Sequence, residues 1–133
     1  MSWGPIDLGR GGGKLPPPGN YPAMVADLRL HEKPDALWCA VQFSLDGMAA
    51  SPRDELHAIA ARDDSKYASR VPDGLRFLNR LSQAAGVEVA GVDYEELPRL
   101  LIGKRLELTV VHSMRDGVAD LVVRSMRPLL PAS

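Results

Sequence analysis

The sequence predicts a mainly β domain: five strands closing a small barrel, with one amphipathic helix between the third and fourth. Three observations carry this. Leu37, Cys39, Val41, Phe43 and Leu45 alternate strictly with Trp38, Ala40, Gln42 and Ser44, the period of a half-buried strand. Across residues 72–85 the period becomes helical. Near the C-terminus, Asp116-Gly117 separates two more alternating runs, a strong hairpin signal.

Taken in order, residues 1–18 carry Gly9, Gly11, Gly12, Gly13 and then Pro16, Pro17 and Pro18, the composition of a flexible arm. Trp3, Ile6 and Leu8 give that arm an apolar triplet able to dock on the domain itself or on a neighbouring subunit, the latter giving a homo-oligomer. The barrel domain spans residues 19–130, and residues 131–133 are a short tail. Pro18-Gly19-Asn20-Tyr21 opens the first strand, whose expected core face is Met24, Ala26, Leu28 and Leu30. Residues 31–35 turn the chain into the alternating second strand, which Asp46-Gly47 ends. A third strand is expected over residues 55–62, with Leu56, Ala58 and Ala60 on one face and Glu55, His57 and Ile59 on the other.

The helix over residues 72–85 gathers Leu75, Leu78, Leu81, Ser82 and Ala85 on one side and Arg76, Asn79, Arg80 and Gln83 on the other. Pro72 suits its first turn and Gly86 the left-handed residue beyond its end. Asp93-Tyr94-Glu95-Glu96 has capping-box character, but Pro98 forbids a long helix, so a single short turn over residues 98–103 is expected. Leu106, Leu108 and Val110 mark the fourth strand. Ala119, Leu121 and Val123 mark the fifth, which Arg127-Pro128 closes. Five strands with a helix between the third and fourth is the chain order of an OB-type Greek-key barrel, a fold that commonly binds oligonucleotides or oligosaccharides.

A chain of 133 residues suffices for one self-supporting core. No apolar run approaches the ~20 residues of a membrane span, and the first residues lack a secretory pattern. Cys39, the lone cysteine, excludes an internal disulfide and points to a reducing cytoplasm. The net charge of -1 gives no overall pull toward nucleic acid, yet the cations are unevenly spread. Residues 99–133 hold Arg99, Lys104, Arg105, Arg115, Arg124 and Arg127 against Glu107, Asp116 and Asp120. That surplus could make one face electropositive.

Catalysis finds no constellation. Gly9–Lys14 fails as a phosphate loop, since the glycine spacing is short, Leu15 replaces the magnesium-binding hydroxyl and three prolines forbid the helix. His31, His57 and His112 stand apart from one another and from Cys39, so no metal or cofactor is expected; His112 reads as a hydrogen-bonded structural residue. Neighbouring carboxylates such as Asp54-Glu55 point to opposite strand faces and do not share a proton. No serine or cysteine sits in a nucleophile motif.

A non-enzymatic binding surface remains. Single-stranded nucleic acid is held by cations along its backbone and aromatic rings under its bases. Trp38, on the outward face of the second strand, is the best stacking candidate. Tyr67 lies between Lys66 and Arg70 in a loop, and Arg62, Lys104 and Arg105, with Arg76 and Arg80, could complete a basic track. The alternative is a barrel-based protein-interaction or assembly module without nucleic-acid contacts, favoured by the neutral charge and scarce aromatics.

Several motifs in sequence also resemble a family of short phage and prophage proteins, catalogued as a domain of unknown function and similar to single-stranded-DNA-binding proteins. They are Pro18-Gly19-Asn20-Tyr21, the LWCAVQFSLDG strand, Leu75, Leu78 and Leu81 leading to Ala84-Ala85-Gly86-Val87, Leu100-Ile102-Gly103-Lys104, and Val123-Arg124-Ser125-Met126-Arg127-Pro128. The resemblance covers residues 18–128. It implies an OB-type barrel, a role in phage DNA replication or recombination, and partners among the proteins of those processes. It carries over no catalytic residue. The chain departs from that pattern in ending RPLLPAS, without the acidic tail common among single-stranded-DNA-binding proteins.

Overall fold

A computed structural model describes residues 15–130 of the chain. The expected arm, apart from residues 15–18, and the tail lie outside the described residues, as does the apolar triplet Trp3, Ile6 and Leu8. Five antiparallel strands form one curled sheet, a half-barrel, in the order β3-β2-β1-β4-β5. They are β1 (Gly19–Glu32), β2 (Ala36–Leu45), β3 (Glu55–Ala61), β4 (Arg105–Arg115) and β5 (Val118–Arg127). Helix α1 (Val71–Ala85) and the short α2 (Leu97–Leu101) fall between β3 and β4 in the chain.

β1 is the hub because it serves two ladders. Its first half pairs with β4 from Gly19↔Val110 to Met24↔Arg105, and its second half pairs with β2 through Glu32↔Leu37. At Ala26 the β2 register slips by one residue, Val25 facing Phe43 and Asp27 facing Gln42. Such a bulge reverses which side of the strand faces the core. Val25 is fastened there from outside the ladder: its N–H donates to the Lys104 carbonyl at 2.9 Å and its carbonyl accepts from Gly103 N–H at 2.8 Å.

That bulge corrects the expected core face of β1. Ala23 and Val25 are buried before it, and Leu28 and the half-buried Leu30 follow after it, while Ala26 is exposed and Met24 only half-buried. β2 keeps its alternation, with Cys39, Val41, Phe43 and Leu45 all buried. In β3, whose inward face the alternation left open, the side of His57 and Ile59 meets the core. Ile59 is fully buried and His57 stacks on Phe77 at 4.1 Å between ring centroids, whereas Leu56 is 57% exposed. In β5, Leu121 is buried but Ala119 lies exposed beside the hairpin turn. Both turn residues have positive φ, Asp116 at 51° and Gly117 at 77°, the geometry of a tight hairpin that matches strand twist.

α1 seals the core where the sheet does not close on itself. It packs against β3 and β5, the two edge strands, and a backbone hydrogen bond from Arg53 to the Leu121 carbonyl (2.7 Å) ties the entry to β3 to β5. The buried stripe is Gly74, Phe77, Leu78, Leu81, Ser82 and Ala84. Leu75, expected inside, is 43% exposed. The stripe is turned because Gly74 brings the helix backbone onto β3: a Cβ there would lie 1.9 Å from the Ala58 carbonyl oxygen. Gly86 ends the helix in the left-handed region (φ 71°), its N–H and that of Val87 reaching the Gln83 and Ser82 carbonyls. α2 begins with Pro98 in its first turn, after a 3₁₀ turn at Tyr94–Glu96. Among the described residues no helix is long and apolar enough to cross a membrane.

Two outcomes follow from this packing. Alanine for glycine at an open helical site gains up to ~1 kcal/mol, but Gly74→Ala is expected to lose about 3 kcal/mol in urea unfolding through overpacking. Burial lifts the Cys39 thiol from 9.0 to about 12. The native protein should therefore resist a thiol reagent at neutral pH and react once denatured. Because the folded thiol keeps its proton longer than the unfolded one, this group's stabilising contribution is present below pH 9.0 and is lost as pH rises toward about 12.

Candidate nucleic-acid interface

Beyond its bulge, β1 turns Arg29 and His31 outward. Antiparallel partners share a face, so His31 lies in one row with Trp38, and Arg29 with Ala40 and Leu56. Trp38 thus stands on the outer face of the sheet, as the alternation of β2 requires. It is half-buried because the loop after β3 folds over it: the Tyr67 ring meets the indole edge-on, with centroids 5.0 Å apart and planes at 78°.

The loop is anchored by a carboxylate in the β1–β2 turn. Asp35 accepts from Ser65 Oγ at 2.8 Å through Oδ2, and its carbonyl accepts from Arg62 N–H at 2.9 Å. Ser65 Oγ in turn accepts from Tyr67 N–H at 3.1 Å, a serine turn that sets the direction of the tyrosine. The 3₁₀ turn Ala68–Arg70 then leads directly into α1. Lys66 Nζ lies 5.1 Å from the Tyr67 ring centroid and the Arg70 guanidinium carbon 5.8 Å, within cation–π range.

Trp38, Tyr67 and Leu56 form the apolar part of an open cleft of about 580 Å³, and His31, Lys33, Asp35 and Lys66 form its polar part. Asp35 is engaged by Ser65, leaving Lys33 and Lys66 with no ion-pair partner among the described residues. A flat π-system can lie against the rings here while an anion meets the lysines.

Of the seven expected contact residues, the fold unites Trp38, Tyr67, Lys66 and Arg70. Arg62 borders a separate cleft of about 420 Å³ across the β1–β2 turn, beside Leu30 and Tyr94. Lys104 and Arg105 stand beside the middle of β1, away from the rings. Arg105 is opposite Met24 and Trp38 opposite His31, seven residues along the strand, which is about 23 Å. Arg105 is also paired with Asp46. The expected continuous basic track is therefore broken. Arg76 and Arg80 line another cleft on α1. His31, Lys33, Asp35, Leu56 and Ser65 were missed as site residues; a serine two residues before a loop tyrosine was the legible signal for the last. His112, expected to be hydrogen-bonded, meets the Pro16 carbonyl at 2.6 Å through Nε2.

Compared with known proteins, the chain matches no family model and no curated protein.

Removing the loop anchor should loosen the aromatic pair without unfolding the sheet. In a Trp3→Phe background, Ser65→Ala is expected to cost about 1 kcal/mol and to shift Trp38 emission to the red. An unchanged emission maximum would mean that Ser65 does not hold Tyr67 in place.

Proposed function

We propose that this protein binds single-stranded DNA on the outer face of β1, β2 and β3, as a non-catalytic OB-type barrel. The observation that carries the reading is the Trp38–Tyr67 pair, two rings 5.0 Å apart in an open cleft edged by Lys33 and Lys66. Bases stack on such rings whatever their sequence, and cations beside them take the phosphates.

The OB-type assignment is supported by the strand order β3-β2-β1-β4-β5, by a long first strand shared between two ladders, and by the helix between β3 and β4. OB barrels bind oligonucleotides on the face of strands 2 and 3 and on the loop joining strands 1 and 2. Trp38 and Leu56 belong to that face here, and Lys33 and Asp35 to that loop. The resemblance to phage and prophage proteins supports a place in DNA replication or recombination, in the cytoplasm. Lys66, Arg70 and Lys33 neutralise phosphates in this reading, and Lys104 and Arg105 are too distant to join them.

Titrating the Trp3→Phe protein with oligo-dT should quench Trp38 emission. Three phosphate contacts give a slope of log K on log salt of about -2, so affinity is expected to fall roughly 15-fold to 20-fold between about 50 and about 200 mM salt. Trp38→Ala should weaken binding by about 10-fold to 100-fold, while Arg105→Ala leaves it unchanged. Unaltered emission and no binding at low salt would refute the proposal.

A further inference from the structure

A second cleft, of about 610 Å³, opens between α1 and the free edges of β3 and β5. Four consecutive residues of β5, Val123, Arg124, Ser125 and Met126, line it. β5 carries an extra residue at Arg124, where Thr109 faces Ser125 and Val110 faces Val123, and such a bulge lets consecutive side chains border one cleft. β3 contributes Glu55 and His57, whose side chains point away from the face carrying Leu56. This cleft and the aromatic one therefore lie on opposite faces of β3.

Its charges are unevenly satisfied. Asp73 is occupied by Arg76 at 2.6 Å. Arg80 and Arg124 have no ion-pair partner among the described residues. His57 Nε2 is buried and 3.3 Å from Glu55 Oε2, yet not aligned for a hydrogen bond, so it has no hydrogen-bond partner among the described residues. A buried polar nitrogen without a partner is costly, and a ligand able to meet it would recover that cost. Phe77 and Val123 give the cleft an apolar lining between these polar groups.

We propose that this cleft receives an acidic, extended peptide segment of a protein partner. Its carboxylates meet Arg80 and Arg124, its apolar side chains lie over Phe77 and Val123, and its backbone runs along the unpaired strand edges. Exposed edges are ready templates for an added strand, and guanidinium groups take carboxylates in bidentate fashion. The proposal is independent of DNA binding, because it uses none of the aromatic cleft.

A fluorescein-labelled short peptide alternating aspartate and leucine, read by anisotropy on the full chain, tests it. The expected result is saturable binding that weakens about tenfold or more for Arg80→Glu combined with Arg124→Glu, is kept by Trp38→Ala, and is not displaced by oligo-dT. A matching asparagine–leucine peptide should bind at least about tenfold more weakly. Both substituted arginines are exposed, and an unchanged melting temperature confirms that the variant folds. Absent saturable binding, equal binding of the neutral peptide, or indifference to the arginine changes overturns the proposal. Displacement by oligo-dT overturns it too, giving the cleft to nucleic acid.

Discussion

The bulge at Ala26 is the constraint on which the rest of the molecule depends. β1 must leave the β4 ladder and continue along β2, and no straight strand can serve both curved partners. One extra residue supplies the bend, and Val25 trades hydrogen bonds with the segment Gly103-Lys104 on the way. The parity of every later side chain in β1 is set there. Without that slip, Leu28 and Leu30 would face solvent, and Arg29 and His31 would point into the core.

Placement of the aromatic pair follows from this geometry in two steps. The outward row of β1 and β2 fixes where Trp38 emerges. A single carboxylate at the adjoining turn, Asp35, then determines where the returning loop lands, through both its side chain and its carbonyl. Tyr67 is thereby held by hydrogen bonds within a few residues rather than by core packing. The same architecture separates Lys104 and Arg105 from the rings by half the length of β1. Charge complementarity here is local, which fits a chain whose net charge is -1.

The sequence made element types and order legible where one periodicity acted alone. β2, whose faces are fixed by strict alternation, reads correctly residue by residue, as do Gly86 at the end of α1 and the Asp116-Gly117 hairpin. Illegible were the features that arise between elements. Ala26 has nothing in its own identity to mark a bulge; the need for one comes from the bend β1 makes between β4 on one edge and β2 on the other. Leu75 looks like a core residue until Gly74 allows α1 to sit against the Ala58 carbonyl, which turns the helix toward Phe77. In β3, alanines on both faces concealed which one was inward, and the burial of Ile59 with the stacking of His57 on Phe77 decides it. The candidate site was half legible for the same reason. Trp38 and the Lys66-Tyr67-Arg70 grouping are local signals, whereas the Asp35–Ser65 bond joins residues 30 apart.

The most direct measurement is an oligo-dT titration followed by backbone amide shifts of the isotopically labelled protein. The perturbed amides are expected to cluster at His31, Lys33, Trp38, Leu56, Lys66 and Tyr67, with those around Gly103–Arg105 and Arg80 silent. Perturbations centred on Lys104 and Arg105 beside the middle of β1, or spread evenly over the sheet, would contradict binding at the aromatic cleft.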